Sequence, residues 1–492
     1  MAVLTREVTG PLPVARVRVR ARWVRHLPFA VLVALAAGLR VAAMAAYNGI
    51  LWFPDGHSYL TVAVRPIPYP ARPMGYAFFL HLLEPFHSLA VIAGVQHAMG
   101  LAAGVLVYAV LRRFRTPAWA ATLCAVPVLF DAYQLELEHL LLSDTLFWFL
   151  VLVAVALILA WPDAWPALAA AGLALGAAAL TRSVGLPLLV IFAAYLLVRR
   201  RPKAALVTAA ACLAPMAAYA VWFHGTWGTY ALTNSDGIFL YGRTAAFADC
   251  RVIRPPATER DLCPPVPVAA RVASPNYIWH RGPLGDVPNY DKFTPATNAW
   301  AGDFARRAIL AQPGAYLATG FDDLAKTFAP ARVVYPNRHD VVLYEFPARV
   351  PPQKLRGHPL PWRSLRSAIQ TYTADPHGNG LATMNAGAAA FLRGYQKVAY
   401  LPGPALLLIL LGAPLGCLYG AWRRRENGVR TFAARGGLPW SCAVVLLVVP
   451  PFTAAFDHRY VIPAVPLACL ALGLAVSRSG AGSARRSASA GP

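Results

Sequence analysis

Apolar residues in this chain fall in long uninterrupted runs, broken by short Arg-rich, Pro-rich or Gly-rich stretches, without the strict alternation of half-buried strands. The runs predict helices near 27–47, 88–111, 117–132, 143–160, 165–181, 184–198, 204–223, 401–421, 438–455 and 461–476. Crossing ~30 Å of hydrocarbon takes about 20 apolar residues, so these ten runs read as spans, several of them short. The pattern predicts an all-α polytopic membrane protein of about ten transmembrane helices. A mixed region, 224–400, separates the seventh span from the eighth.

Composition agrees. The 492 residues are 58% hydrophobic and only 14% charged, against roughly a quarter charged in soluble domains. A net charge of +23 would point to nucleic acid in a soluble chain. Here 21 of the 45 basic residues cluster at alternate helix ends, in Arg6 to Arg25, Arg112 to Arg115, Arg199 to Lys203, Arg423 to Arg435 and Arg478 to Arg486. Only Glu7, Asp163 and Glu426 oppose them. The positive-inside rule makes those ends cytoplasmic, so topology accounts for much of the charge and no nucleic-acid partner is expected.

The organisation that follows is a basic cytoplasmic N-terminus (1–26), a seven-span module (27–223), the outer-face region (224–400), a three-span module (401–476) and a disordered cytoplasmic tail (477–492). The first apolar run is longer than a signal-peptide core and keeps phase with the later clusters, so it reads as an uncleaved anchor. Both termini are then cytoplasmic in a multi-pass plasma-membrane protein, leaving 48–88 and 224–400 outside. Within the latter, Leu317, Phe321, Leu324 and Phe328 have helical spacing, and 384–400 reads as an interfacial helix. Five of the seven cysteines fall in spans; Cys250 and Cys263 alone share the oxidising face and predict a disulfide. A metal site is the weaker alternative, for want of further ligands at zinc-like spacing.

Chemistry is sought where polar groups are costly. The first outer loop carries Asp55, His57 and Tyr59, then Arg72 and Tyr76. Asp55 is either an active-site acid or the cap of a short helix, two readings the residues alone leave level. Arg72, Arg182 and Arg459 stand at outer helix ends, where a guanidinium either snorkels or grips phosphate oxygens. Arg182 is the least ordinary, because a lone arginine at an outer end needs an acid or a phosphate as partner. Arg40, inside the first span, has a similar need. A second acidic cluster, Glu136, Glu138, His139 and Asp144, heads the fourth span, with a solvated turn the plain alternative for Glu136. Asp457 to Tyr460 opens the last span, and Tyr460 is either a site residue or part of an aromatic belt.

Taken in order and sidedness, these elements resemble the GT-C superfamily of integral membrane glycosyltransferases, in particular the bacterial protein O-mannosyltransferase and aminoarabinose transferase group. The matching pieces are Asp55 to Tyr59 in a D-x-x-x-Y-like context and Arg72-Pro73-Met74-Gly75-Tyr76. Gln96 to Gly104 lies in the second span, and Leu142 to Phe147 carries Asp144. Gly172 to Arg182 ends in L-T-R, and Arg459-Tyr460-Val461-Ile462-Pro463 stands near the C-terminus. Asp144 stands where Glu is frequent in the family, and His57 so soon after Asp55 is a departure. The long outer region matches in size and position only.

The resemblance implies transfer of a hexose or pentose from a polyprenyl-phosphate donor, in the membrane lipid, to a glycan, lipid or protein acceptor at the outer face of the plasma membrane. Asp55 and Asp144 would be catalytic, with Asp55 the base of a direct displacement. Arg72, Arg182 and Arg459 would bind donor phosphate, and His57, Tyr59, Tyr76, Glu138, His139 and Tyr460 would contact substrate. A divalent cation, Mg or Mn, held by Asp55 and Asp144 is chemically reasonable, since hard oxygen ligands suit it. A polyprenyl-phosphate-lipid flippase or transporter and a non-enzymatic membrane scaffold are the alternatives. Only transfer would release polyprenyl phosphate.

Overall fold

The computed structural model describes residues 24–285, 287–352, 360, 363–423, 432–434 and 436–477. Nearly all of the expected N-terminal segment (1–26), most of the basic cluster from Arg423 to Arg435 and all but Ser477 of the expected tail lie outside the described residues.

Helices dominate. The N-terminal half runs α1 (Leu27–Ala46), β1 (Tyr47–Asn48), α2 (Pro54–Val64), α3 (Gly75–Leu83), α4 (Leu89–Arg113), α5 (Ala118–Phe130), α6 (Ala132–Leu137), α7 (Asp144–Ala160), α8 (Trp165–Thr181), α9 (Leu186–Val198) and α10 (Pro202–Trp227). Among the longer elements that follow are α11 (Asp236–Ala245), α12 (Pro295–Ala311), α13 (Pro313–Lys326), α14 (Leu365–Thr373), β2 (Thr383–Met384) and α15 (Ala386–Gln396). Then come α16 (Gly403–Arg423), α17 (Gly437–Thr453), α18 (His458–Val461) and α19 (Ala464–Ala475). Each of the ten expected runs holds an apolar helix whose ends lie within about four residues of expectation. Among the described residues five helices, with α18 and α19 taken together as one, are long and apolar enough to cross a bilayer, and five shorter apolar ones accompany them. The chain is a multi-pass membrane protein.

The helices sort by how much lipid they meet. On α7, Trp148, Val151, Leu152 and Val155 are each 1% exposed or less, so this helix, apolar all round, is the bundle's centre. On α1, α10 and α16, Leu35, Leu206 and Leu408 stand exposed, the pattern of helices with one face in hydrocarbon. The region after α10 folds back on the bundle. α14 packs on α2, α13 on α17 and α15 on α1, while β2 pairs antiparallel with β1, Tyr47 opposite Met384. Leu317, Phe321 and Leu324 lie on α13, where the first two stay exposed while Leu324, and Phe328 two residues past the helix end, pack inward.

A buried polar network braces the end of the bundle where α1 meets α6. Arg40 donates from Nη2 to Glu138 Oε1 at 2.8 Å and from Nη1 to the Leu129 carbonyl at 3.0 Å. His97 bridges Glu138 Oε2 (3.0 Å) and His139 Nδ1 (2.9 Å), and His139 Nε2 donates to the Tyr47 carbonyl at 2.9 Å. Gln96 donates to the carbonyls of Glu138 and Leu140 and accepts from the Tyr76 hydroxyl. An ionised group at this depth is costly unless its partners replace water, and here each has several. Glu136 is buried too, accepting from the Gln396 amide at 2.8 Å instead of facing water.

Gly100 leaves the room Glu138 needs, since a Cβ there would overlap the Glu138 carboxylate. Gly100→Ala is therefore expected to push the acid away from Arg40. Breaking a buried ion pair costs about 3–5 kcal/mol. The midpoint of thermal unfolding in detergent should fall by several degrees, and an unchanged midpoint would show that the network tolerates the shift.

Candidate active site

Local backbone pairing brings the two acids of the N-terminal half together. The Leu51 N–H donates to the His139 carbonyl (3.0 Å) and the Leu141 N–H to the Leu51 carbonyl (2.8 Å), a parallel bridge between the chain entering α2 and the chain entering α7. Asp55 opens α2 and Asp144 opens α7. Asp55 does not cap its helix: Phe53 is the N-cap residue, and the carboxylate turns to arginines. Gly75 completes the approach, because a Cβ there would strike the Leu180 carbonyl, so the Arg72 turn lies against the end of α8 that bears Arg182. Arg459 arrives on α18, whose N-cap, Asp457, accepts from the Arg459 N–H at 3.1 Å.

These side chains form one lattice of charge. Arg72 Nη2 donates to Asp55 Oδ1 at 3.0 Å and Arg459 Nη1 to Asp55 Oδ2 at 3.1 Å, so each carboxylate oxygen is taken by a different guanidinium. Arg182 Nη1 donates to Asp144 Oδ2 at 2.7 Å, which also lies 4.0 Å from Arg459 Nη1. Arg459 Nε donates to Asp457 Oδ2 at 3.1 Å, and the Tyr344 hydroxyl reaches the same oxygen at 2.9 Å. Burial pushes the Asp55 carboxyl up, but the charges of Arg72 and Arg459 outweigh it and hold the pKa at about 2. Aromatic faces complete the guanidinium surroundings, Tyr59 under Arg72, Tyr460 under Arg182 and Phe53 under Arg459, at 4.9 to 5.3 Å.

The lattice lies at a cavity of about 1250 Å³ lined by Asp55, His57, Tyr59, Arg72, Arg182, Arg459 and Tyr460. Val184 just before α9 and Leu186 and Pro187 at its start, with Val449 and Pro450 of α17, give it an apolar wall from the bundle. Trp279, Asn276 and His280, from the region after α10, line it too. The three arginine side chains are 11 to 15% exposed and Asp55 is 20% exposed, open enough to meet a ligand.

Not every expected contact residue reaches this space. Asp144 is fully buried behind Arg182 and does not line the cavity. Tyr76, Glu138 and His139 belong to the polar network behind the site, where protein groups saturate them. Sequence reasoning passed over Ser58, which accepts from Arg72 Nη1 at 2.9 Å, although its place three residues after Asp55 on α2 is a readable signal. It also passed over Tyr344, whose partner Asp457 is 113 positions away, a pairing with no local signal. Cys250 and Cys263 are disulfide-bonded.

The acids do not suit a divalent cation. Both Asp55 oxygens and one oxygen of Asp144 accept from guanidinium groups, and among the described residues no three His, Cys, Asp or Glu side chains gather as ligands. A cation at Asp55 would have to displace arginines that already balance the charge.

No protein-family model matches the sequence, and no curated protein matches it either. Solved structures do. The chain is similar to the Saccharomyces cerevisiae protein O-mannosyltransferase Pmt1-Pmt2 complex bound to its sugar donor, at 19% identity and TM-score 0.33, over 47% of this chain and 36% of that one. It is similar to the Archaeoglobus fulgidus oligosaccharyltransferase tethered with an acceptor peptide, at 14% identity and TM-score 0.39, over 90% and 49% of the two chains. It is also similar to ArnT from Cupriavidus metallidurans bound to undecaprenyl phosphate, at 14% identity and TM-score 0.33, over 89% and 77%. The chain thus spans half or less of the first two. These structures are GT-C glycosyltransferases, the superfamily whose motifs the sequence resembles.

Proposed function

We propose that this protein transfers a sugar from a polyprenyl-phosphate donor to an acceptor hydroxyl at the outer face of the plasma membrane, with Asp55 as base. The observation that carries this reading is the convergence of Arg72, Arg182 and Arg459, from three distant parts of the chain, around Asp55 at one cavity with an apolar wall from the bundle. A phosphate suits the guanidinium cluster, a polyprenyl chain suits the apolar wall, and the carboxylate serves the acceptor. The disulfide between Cys250 and Cys263 fits an oxidising outer compartment.

In the reaction the acceptor oxygen attacks the anomeric carbon, its O–H bond breaks and the proton passes to Asp55. The bond from the anomeric carbon to the phosphate oxygen breaks with it, and the arginines hold the departing polyprenyl phosphate as its charge grows. Because Arg72 and Arg459 occupy both oxygens of Asp55 in the free site, phosphate must first draw guanidinium away. Donor binding then raises the basicity of Asp55 and prepares the base.

The test is transfer of labelled sugar by the purified protein from a panel of polyprenyl-phosphate sugars to envelope acceptors, with release of polyprenyl phosphate. Transport of intact lipid without release would make the protein a flippase instead. Run against pH, the assay also reads the clamp on Asp55. The stabilisation that Asp55 gains from the arginines is complete above the ordinary carboxyl value of 3.8 and is lost as pH falls toward about 2. The profile of kcat/KM, which reports the free enzyme, should therefore show no Asp55 limb between about pH 5 and 8, while kcat should carry its acid limb at higher pH. An Asp55-dependent limb in kcat/KM near neutrality would count against the clamp.

A further inference from the structure

We propose that Asp323, buried on α13 and outside the cavity lining, is the positioning residue that sets Arg459 in the site; this rests on the proposed phosphate role of Arg459. The chain that carries Arg459 has little of its own to hold it. Between the end of α17 and the four-residue α18, residues 454–457 are not helical. The Ala454 N–H still bonds to the Pro450 carbonyl of α17, but the Phe456 N–H between the two helices is held by a group from elsewhere.

Asp323 supplies that group. Its Oδ2 accepts from the Phe456 N–H at 3.1 Å, one residue before Asp457 and three before Arg459. The same carboxylate is itself held from four directions. Arg243 of α11 donates to Oδ2 at 2.8 Å, Lys326 to Oδ1 at 2.9 Å and the Tyr335 hydroxyl to Oδ2 at 3.4 Å, besides the Phe456 bond. Arg243 is anchored in turn by the Ser274 hydroxyl (3.1 Å) and the Thr319 carbonyl (2.8 Å). Asp323 and Arg243 are 3% and 1% exposed, and a buried carboxylate held by this many donors makes a rigid post. A second tie comes from the same stretch, where His458 Nε2 donates to the Val333 carbonyl at 2.6 Å.

From that post the connection runs in unbroken steps: Asp323 to the Phe456 N–H, Asp457 capping α18 and gripping Arg459 Nε, and Arg459 Nη1 reaching Asp55. Arg459 stands 3.1 Å from one carboxylate and 4.0 Å from a second, so a slip of the connection by about 1 Å would change which acid it serves. The region between the seventh and eighth spans thereby acts on the site through the backbone of Phe456.

The experiment uses the full-length protein in detergent and undecaprenyl phosphate as the probe. Asp323→Asn keeps the shape and removes the charge; it is expected to raise the dissociation constant about tenfold, within the range of indirect couplings. The decisive reading is a double-mutant cycle. Combined with Arg459→Gln, Asp323→Asn should cost nothing further, whereas with Arg72→Gln the two losses should multiply. A purely structural lesion would multiply with both. Unaltered binding in Asp323→Asn, or losses that multiply with Arg459→Gln, would overturn the proposal. Should Asp323→Asn fail to fold, Asp323→Glu, which keeps the charge for Arg243 and Lys326 but displaces the carboxylate from the Phe456 N–H, takes its place with the same expectation. If the wild type itself ignores undecaprenyl phosphate, the phosphate reading is what fails. Positioning is then read from cross-linking of an Asp55→Cys/Arg459→Cys pair, whose yield should fall several-fold on adding Asp323→Asn and would be unchanged if Asp323 does not position the segment.

Discussion

Asp55→Asn is expected to slow sugar transfer by roughly 10²- to 10⁴-fold, the ordinary worth of a general base, while polyprenyl phosphate binds as tightly as before or more so. The two halves of that expectation share one cause. The amide takes no proton from the acceptor, so turnover falls. It also carries no charge, so Arg72 and Arg459, which the carboxylate engages at 3.0 and 3.1 Å, lose their countercharge and become freer for phosphate. Transfer and binding measured on the same preparation separate this from a folding defect, which would lower both. Turnover at the wild-type rate would remove Asp55 from the reaction. Weaker phosphate binding with a normal unfolding midpoint would mean that Asp55 holds Arg72 and Arg459 in place for the donor instead of competing with it.

Arg459→Gln should strike the donor side. A hydrogen bond to a charged group is worth about 1.5–3 kcal/mol, so polyprenyl-phosphate affinity should drop by about tenfold to a hundredfold. The variant also leaves Asp55, Asp144 and Asp457 with one guanidinium fewer between them. Their mutual repulsion then adds to the loss of phosphate affinity and lifts the Asp55 carboxyl from its low value near 2. The acid limb of the kcat/KM profile should move upward in this variant. Arg459→Lys should rescue only part of the loss, because a single ammonium cannot span Asp457 through Nε and Asp55 through Nη1 as the planar group does. Full rescue by lysine would reduce the residue to a point charge.

Much of this molecule was open to reading before its structure. The ten apolar runs became helices close to the expected bounds, because bilayer thickness dictates how long an apolar run must be and backbone satisfaction in lipid dictates that it be helical. That Arg182 needs an acid or a phosphate as partner was legible from its isolation, and Asp144 is the acid that meets it, at 2.7 Å. Arg40 likewise finds Glu138. In both cases the cost of an unpaired charge at a helix end or within a span made the need visible without naming the partner.

What stayed closed was depth and partnership. Nothing local tells that Tyr76, Glu138 and His139 stand behind the cavity while His57, Tyr59 and Tyr460 line it, for all are polar residues near helix ends expected on one side. Nor does any pattern announce that Asp323 holds Phe456, 133 positions on, or that Arg459 reaches Asp55 across 404. The sequence by itself determined the spans, the expected sidedness of the loops and the inventory of costly polar groups, since each follows from short stretches of chain meeting lipid or water. The tertiary structure alone decided which acid each arginine faces and which polar groups meet the cavity, since a hydrogen bond requires atoms within about 3 Å and only packing brings distant segments that close.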